Sequence, residues 1–354
     1  MKKNKSVQTR TVMRKKKKRR IRKRVLFILL PIVIIFFGVL GYGVHLYVQA
    51  QNAVSNSYED DGREKSDLRE GQVDPNIDNV SILIIGTDAN EHRDNADNAR
   101  SDALMLATFN KDKESVNLVS IPRDSYVHIP EVGYEDKITH AHAYGGPKAT
   151  IETVENLMNI PVDYYVRVDF HAFVDVVDAI GGIDVNVPYE FKESNSMDKR
   201  DAIHLLAGEQ TVDGEEALAL ARTRKLDNDI ERGKRQMEII NAVAKKAASV
   251  NSVFNFDDVI NAVGDNMSTN MSFKEMRTFV SYVTGGLNIN NYTLEGTDYQ
   301  PGSTYYWQLD EVALQETKTM LQDHLEISSP TVNTGSESYN QTNETQESQD
   351  AQNY

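Results

Sequence analysis

Apolar and polar positions divide the chain into distinct stretches. Residues 25–48 (VLFILLPIVIIFFGVLGYGVHLYV) are an unbroken run of 24 without Asp, Glu, Lys or Arg. As a helix rising 1.5 Å per residue the run would extend about 36 Å, enough to cross a hydrocarbon core of about 30 Å with some tilt. Residues 49–79 are mostly Ser, Asn, Gln, Asp and Glu with no apolar period, and read as a polar stalk. From 80 to about 325 short apolar runs alternate with polar breaks. Beyond that, 328–354 is Ser, Thr, Asn, Gln and Glu with no aliphatic pattern, the composition of a disordered tail.

Within 80–325 the period switches between two and 3.6. SILIIG (81–86) is a short apolar run closed by Gly, as a buried strand should be. ALMLATF (103–109) and SVNLVSI (115–121) flank the polar turn NKDKE and predict a hairpin. ATIETVENLMNI (149–160) places Ile151, Val154, Leu157 and Met158 on one helical face. Residues 162–168 return to strand, 170–180 to helix stopped by Gly181-Gly182, and 183–187 to strand. Helices are predicted over 213–222, 230–249, 256–263, 272–284 and 310–325, with a small strand pair over 291–307. Interleaved strands and helices predict an α/β or α+β domain around one sheet.

Charge changes this picture at the N-terminus. The first 24 residues hold fourteen Lys/Arg and no acid, leaving 25 bases against 53 acids in the rest. A block this basic suits either a nucleic-acid arm or the cytoplasmic flank of a membrane span. The apolar run that follows decides for the second. It is also longer than the roughly 7–15 apolar residues of a cleavable signal peptide, so an uncleaved anchor is expected. The charge asymmetry orients it N-terminus inward and puts everything after about residue 50 outside the cell. The absence of Cys excludes a disulfide scaffold, a thiol nucleophile and a Cys-ligated metal.

The candidate chemistry sits where strands end. Asp88 follows the first strand and Asp102 begins the second, beside Arg100. Mg²⁺ often takes only one or two protein carboxylates and completes its shell with water and phosphate oxygens, so the pair could hold it; loop or capping carboxylates are the plainer alternative. Arg123, in IPRD (121–124), should emerge on the same sheet edge unless it is a surface ion pair. The stretch 222–236 is locally basic in an acidic domain. Arg222 and Arg224 are expected just past a helix end, and Arg232, Arg235 and Gln236 on one face of the next helix. Arg predominates over Lys there, and Arg is the residue suited to forked contacts with phosphate. Together these residues suggest a magnesium-assisted pyrophosphate site. His140 and His142 form no zinc spacing, and neither a GxSxG, a P-loop nor an HExxH motif occurs.

Seven ordered motifs carry a resemblance: LIIGTD (83–88), RSDALMLATFN (100–110), VSIPRDSYV (119–127), DKITHAHAYGG (136–146), VDAIGGIDVNVP (177–188), LAGEQTVDGEEALALARTR (206–224) and RGKRQ (232–236). In these the chain resembles the LytR-CpsA-Psr family, closely over 80–246 and more loosely over 247–327. The resemblance implies an α/β/α layered fold with a central twisted mixed sheet, carried outside the cell on one transmembrane helix, and an apolar pocket for a polyprenyl chain. It implies a phosphotransferase that moves a glycopolymer, such as wall teichoic acid, from an undecaprenyl-pyrophosphate carrier to a peptidoglycan sugar hydroxyl. By motif, Asp88 and Asp102 correspond to Mg²⁺ ligands. Arg100, Arg123, Arg222, Arg224 and Gln236 correspond to the pyrophosphate set, with Arg232 and Arg235 as auxiliaries. Ala103 and Glu231 depart from the usual pattern without removing a charged group.

The implied partners are the lipid-linked glycopolymer, peptidoglycan and the membrane, with no nucleic acid; the implied location is the cell membrane of a Gram-positive bacterium. Three other readings stay open on the sequence: a lipid-pyrophosphate hydrolase using the same site, a transcriptional regulator, and a non-catalytic glycan- or lipid-binding surface module. The second needs a DNA-reading element among about 24 cytoplasmic residues, where a helix-turn-helix has no room.

Overall fold

The computed structural model describes residues 23–87, 99–225, 228–248, 267–284 and 288–327. The basic residues 1–22, Asp88, the helix expected over 256–263 and the tail over 328–354 lie outside them.

The central sheet follows from strands that are apolar on both faces. β1 (Val80–Thr87), β2 (Ser101–Asn110) and β3 (Ser115–Ser120) run antiparallel in sequence order, so the expected hairpin forms with Phe109 opposite Val116. β6 (Tyr164–Asp169) adds parallel to β1, β11 (Met267–Thr269) adds antiparallel to β6, and β12 (Asn288–Thr293) adds parallel to β3. The mixed order is β11-β6-β1-β2-β3-β12. The resemblance implied such a sheet. The strand pair expected over 291–307 is a correction: β12 joins the main sheet, and the hairpin beside it is β13 (Gly296–Tyr299) with β14 (Tyr306–Leu309).

Alternation sorts the sheet residues between two helix layers. Leu83, Ile85, Leu104, Leu106, Val119 and Ile121 pack with Ile151, Val154 and Met158 of α2 (Thr139–Met158) and Leu321 and Leu325 of the last helix, α7 (Glu311–Leu325). Met105, Ala107, Val116 and Leu118 face the opposite way, against Met237 and Ile240 of α5 (Asp229–Ala247). Near β6 this second face is covered by Met276 and Phe279 of α6 (Phe273–Thr284). α3 (Phe170–Ala179) and α4 (Gly214–Arg222) extend the layer of α5, together with a ribbon of β7 (Ile183–Val187) and β10 (Gly208–Val212). α4 starts against the backbone of α3: a Cβ on Gly214 would sit 2.3 Å from the Val174 carbonyl oxygen, so only glycine allows this approach. Short strands that the sequence did not announce are β4 (Tyr126–Ile129) with β5 (Tyr134–Lys137), and β8 (Phe191–Glu193) with β9 (Ile203–Leu205).

The N-terminal helix α1 (Lys23–Ser57) contains the apolar run and continues past it. The membrane span itself stands as an expectation of the sequence. The stretch expected as a free stalk is instead bound to the domain. Val54 is buried, Arg63 pairs with Asp61 and with Glu155 of α2, and Arg69 forks onto Asp163 at 2.6 and 2.9 Å. The polar composition suggested solvation, yet these charges are spent on partners in the folded part. Asp163 is 1% exposed and also accepts from the Ser81 backbone N–H. Arg69→Ala strands that buried carboxylate and should cost about 3 kcal/mol, read as a lower urea midpoint. A chain begun at Asp74 should likewise melt below one begun at Tyr58; equal melting would show that this segment adds nothing.

His324 of α7 is buried between the Thr108 and Ser115 hydroxyls, at 2.8 and 3.0 Å. Burial, with the Lys113 charge adding to it, pushes its imidazole down to about 4. An unfolded His titrates near 6.5. Stability from this residue is therefore complete above pH about 6.5 and falls with pH through about 4, because only the unfolded chain takes up the proton in that window. The melting temperature should drop across it, and His324→Gln should flatten that part of the profile.

Candidate active site

A cavity of about 670 Å³ lies between the second face of the sheet and the layer of α3, α4 and α5. Its lining combines two chemistries. Ile84, Met105, Phe170, Phe173, Leu218 and Ile239 give it an apolar wall, while Arg123, Arg222, Arg224, Lys225 and Arg232 bring five cations against the three carboxylates of Asp102, Asp169 and Glu193. In a domain with twice as many acids as bases, that is a local inversion of charge.

Each cation is placed by a local rule. Arg123 follows β3, and its Nη1 donates to Asp102 Oδ1 at 2.6 Å across the sheet edge. Burial works against its charge, but Asp102 and Asp124 outweigh that and raise its pKa. Asp124 in turn pairs with Lys137 at 2.8 Å; despite its burial, the Lys137 bond, a bond with Asp229 and the Arg123 charge hold its carboxyl below the usual range. α4 opens with a capping box between Asp213 and Glu216 and ends at Arg222, after which Thr223 is extended. Arg224 therefore lies just past the helix end, as expected, while Arg222 is still the last residue of α4. The Arg222 guanidinium lies 4.9 Å from the centre of the Phe170 ring. α5 is capped by Asn228, and Asp229 in its first turn pairs with Arg232 at 3.0 Å and with Arg224 at 3.4 Å. The Arg232 side chain is 7% exposed, and its pKa is lowered by burial although Asp229 works the other way.

Two buried guanidinium donors of the cavity lining are left over. Among the described residues, Nε of Arg123 and Nε of Arg232 have no hydrogen-bond partner. Unsatisfied guanidinium N–H groups beside a cavity are costly unless an acceptor arrives there.

The structure thus brings Asp102, Arg123, Arg222, Arg224, Arg232 and Gln236 to one cavity. Arg100 precedes β2, is exposed and does not line it. Arg235, expected as an auxiliary contact, is a correction. It is buried and donates to the carbonyls of Leu220 and Thr223, so it clamps the end of α4 rather than facing the cavity. Asp229 was missed by the sequence reading, although Asp229 and Arg232 are an i,i+3 acid–base pair at a helix start. Asp169, which lines the cavity and caps α3, was also missed; burial raises its pKa against the opposing Ala172 N–H bond.

With that geometry in view, the comparisons are specific. The sequence pattern of the LytR_cpsA_psr family matches residues 44–323, and the chain belongs to this family. Over 288 residues it is 41% identical to the Bacillus subtilis polyisoprenyl-teichoic acid--peptidoglycan teichoic acid transferase TagT, covering 80% of this chain and 89% of that one. It is 36% identical over 293 residues to TagU of the same organism, covering 82% and 92%. The solved structure of TagT bound to LIIa-WTA superposes with a TM-score of 0.65 at 40% identity, over 75% of this chain and 97% of that one. A TagT structure with bound octaprenyl pyrophosphate lipid gives 0.61 at 38%, over 75% and 98%.

Proposed function

We infer that the chain is a transferase that links a polyisoprenyl-bound teichoic acid or related glycopolymer to peptidoglycan. The observation that carries this reading is the mixed lining of the cavity: an apolar wall adjoining an arginine cluster fits a lipid tail joined to a pyrophosphate, and two of the arginines have buried donors without a hydrogen-bond partner among the described residues. Its relatives' names and the lipid pyrophosphate bound by TagT agree with it.

The chemistry proposed is phosphoryl transfer by positioning and electrostatics. Arg123, Arg222, Arg224 and Arg232 hold the pyrophosphate. A sugar hydroxyl of peptidoglycan attacks the phosphorus bound to the glycan and gives up its proton to solvent, a new phosphodiester forms, and the bond from that phosphorus to the bridging oxygen breaks. The lipid phosphate leaves with the charge that the arginines stabilise. Mg²⁺ fits this set: Asp102 presents a half-buried carboxylate to the cavity, Asp88 follows β1 directly, and this ion needs only one or two protein carboxylates. When bound, it would neutralise charge on the phosphate oxygens. An undecaprenyl chain as carrier, a single N-terminal anchor and an active site outside the membrane complete the proposal. They would keep the cavity next to a carrier that cannot leave the bilayer.

Ligand-dependent melting tests the site. Polyprenyl pyrophosphate should raise the melting temperature more than the polyprenyl monophosphate of equal length. Equal shifts would mean that the arginines do not read the second phosphate.

A further inference from the structure

Outside the cavity, four tyrosines gather where two hairpins meet. Tyr126 of β4 lies 4.7 Å from Tyr306 of β14 and 5.6 Å from Tyr299 of β13, centre to centre. Tyr305 continues the group and is 37% exposed. Lys137, opposite Tyr126 in the β4–β5 pair, holds its ammonium 5.8 and 5.7 Å from the Tyr305 and Tyr306 rings.

This cluster is tied to the active site through direct contacts. The Lys137 ammonium reaches Asp124 at 2.8 Å, and Asp124 lies 3.9 Å from Arg123 Nε. β14 is docked on the same loop, because the Trp307 backbone N–H donates to the Asp124 carbonyl at 2.8 Å. Tyr305 feels the site electrically: burial and its 2.9 Å bond to Asp298 push its hydroxyl up to about 12, and the charges of Asp298, Asp124 and Asp229 add to this.

Packing alone does not require this composition. Leu or Phe would join two hairpins as well, whereas partly exposed phenols offer an apolar face and a polar edge to something outside. Sugar rings have the matching surface, a patch of axial C–H groups bordered by hydroxyls. Charge then chooses between the two glycans that a transferase meets. Carboxylates stand at the tyrosine hydroxyls, Glu135 at Tyr126 and Asp298 at Tyr305, and the cation at these rings, Lys137, is already paired with Asp124 at 2.8 Å. A polyanionic donor polymer would be repelled there, while the neutral amino-sugar rings of a peptidoglycan strand would not.

We propose that Tyr126, Tyr299, Tyr305 and Tyr306 form the platform on which the sugar rings of the acceptor glycan strand stack, leading its hydroxyl toward Arg123. The proposal rests on the transferase reading above. It makes these tyrosines acceptor-binding residues with no part in holding the lipid pyrophosphate.

The test uses the full chain in detergent, with lipid-linked glycopolymer as donor and soluble uncrosslinked peptidoglycan strands as acceptor. One stacked ring contributes roughly tenfold in affinity. Tyr305→Ala should therefore raise the acceptor KM about tenfold and leave the donor KM unchanged, and Tyr305→Phe should restore the acceptor KM because the ring face is kept. A rise in the donor KM instead, no change in either, or a Phe variant as impaired as Ala would overturn the proposal. Saturation-transfer NMR with N-acetylglucosamine oligomers adds a readout independent of turnover. If wild-type protein binds the oligomers and Tyr305→Ala does not, the platform stands even where transfer fails and the transferase reading falls. Equal binding by both proteins, or by neither, overturns the platform.

Discussion

Arg123→Lys is expected to lower glycopolymer transfer by about 10²–10³ with the fold intact, although the charge is kept. The reason is geometric. One Nη of Arg123 is committed to Asp102 at 2.6 Å, and its buried Nε, 3.9 Å from Asp124, has no hydrogen-bond partner among the described residues, so the planar fork keeps donors for a phosphate while it holds a carboxylate. An ammonium on a longer stem offers a single point of contact and cannot reproduce both. Arg123→Ala should be at least as damaging. The double variant Arg123→Ala/Arg222→Ala should lose less than the product of the single losses, because groups acting on one pyrophosphate are not additive. Near-normal transfer by Arg123→Ala, with native circular dichroism, would reduce Arg123 to an ion pair at the sheet edge.

The second large effect is at Asp102. Asp102→Asn keeps the shape of the side chain but removes the carboxylate that fixes Arg123 and that is proposed to contact Mg²⁺. Transfer should fall by about 10²–10³, a loss comparable to that of one transition-state donor. The two roles can be told apart by metal titration. A tether alone predicts the same Mg²⁺ dependence in wild type and variant, whereas a ligand predicts that the variant needs far more Mg²⁺ for its residual activity. Wild-type protein that stays fully active in metal-free buffer containing EDTA would remove the metal from the account.

What the sequence revealed depended on whether a pattern was local. The runs at 103–109 and 115–121 were legible as paired strands because each is apolar on both faces and the turn between them is polar. β12 was not, since NINNYT joins the sheet edge by backbone pairing with β3, and its packing contribution is largely Ile289. The tether at 61–69 was hidden for a related reason: ion pairs between Arg69 and Asp163, 94 residues apart, leave no period to detect.

The arginines show the same limit at finer scale. From Arg232, Gln236 lies about 40° around the helix while Arg235 lies about 60° to the other side. Arg232 and Gln236 line the cavity while Arg235 does not, yet Gln236 shares with Arg235 the carbonyls at the end of α4 through its bond to Ala221, and only the position of α4 decides this division. Asp229 was hidden by its ordinary appearance as a first-turn acid. In the folded chain it holds Arg224 and Arg232 in place before any ligand arrives.

The most direct test of the central claim is the chemical structure of the product. Wild-type protein would be given isotopically labelled lipid-linked glycopolymer and peptidoglycan, and the digested wall analysed by mass spectrometry. The expected product is the labelled polymer joined through a phosphodiester to a peptidoglycan sugar, with lipid monophosphate released in equal amount. Labelled polymer phosphate set free in solution, with no linkage to peptidoglycan, would contradict it and identify water as the acceptor.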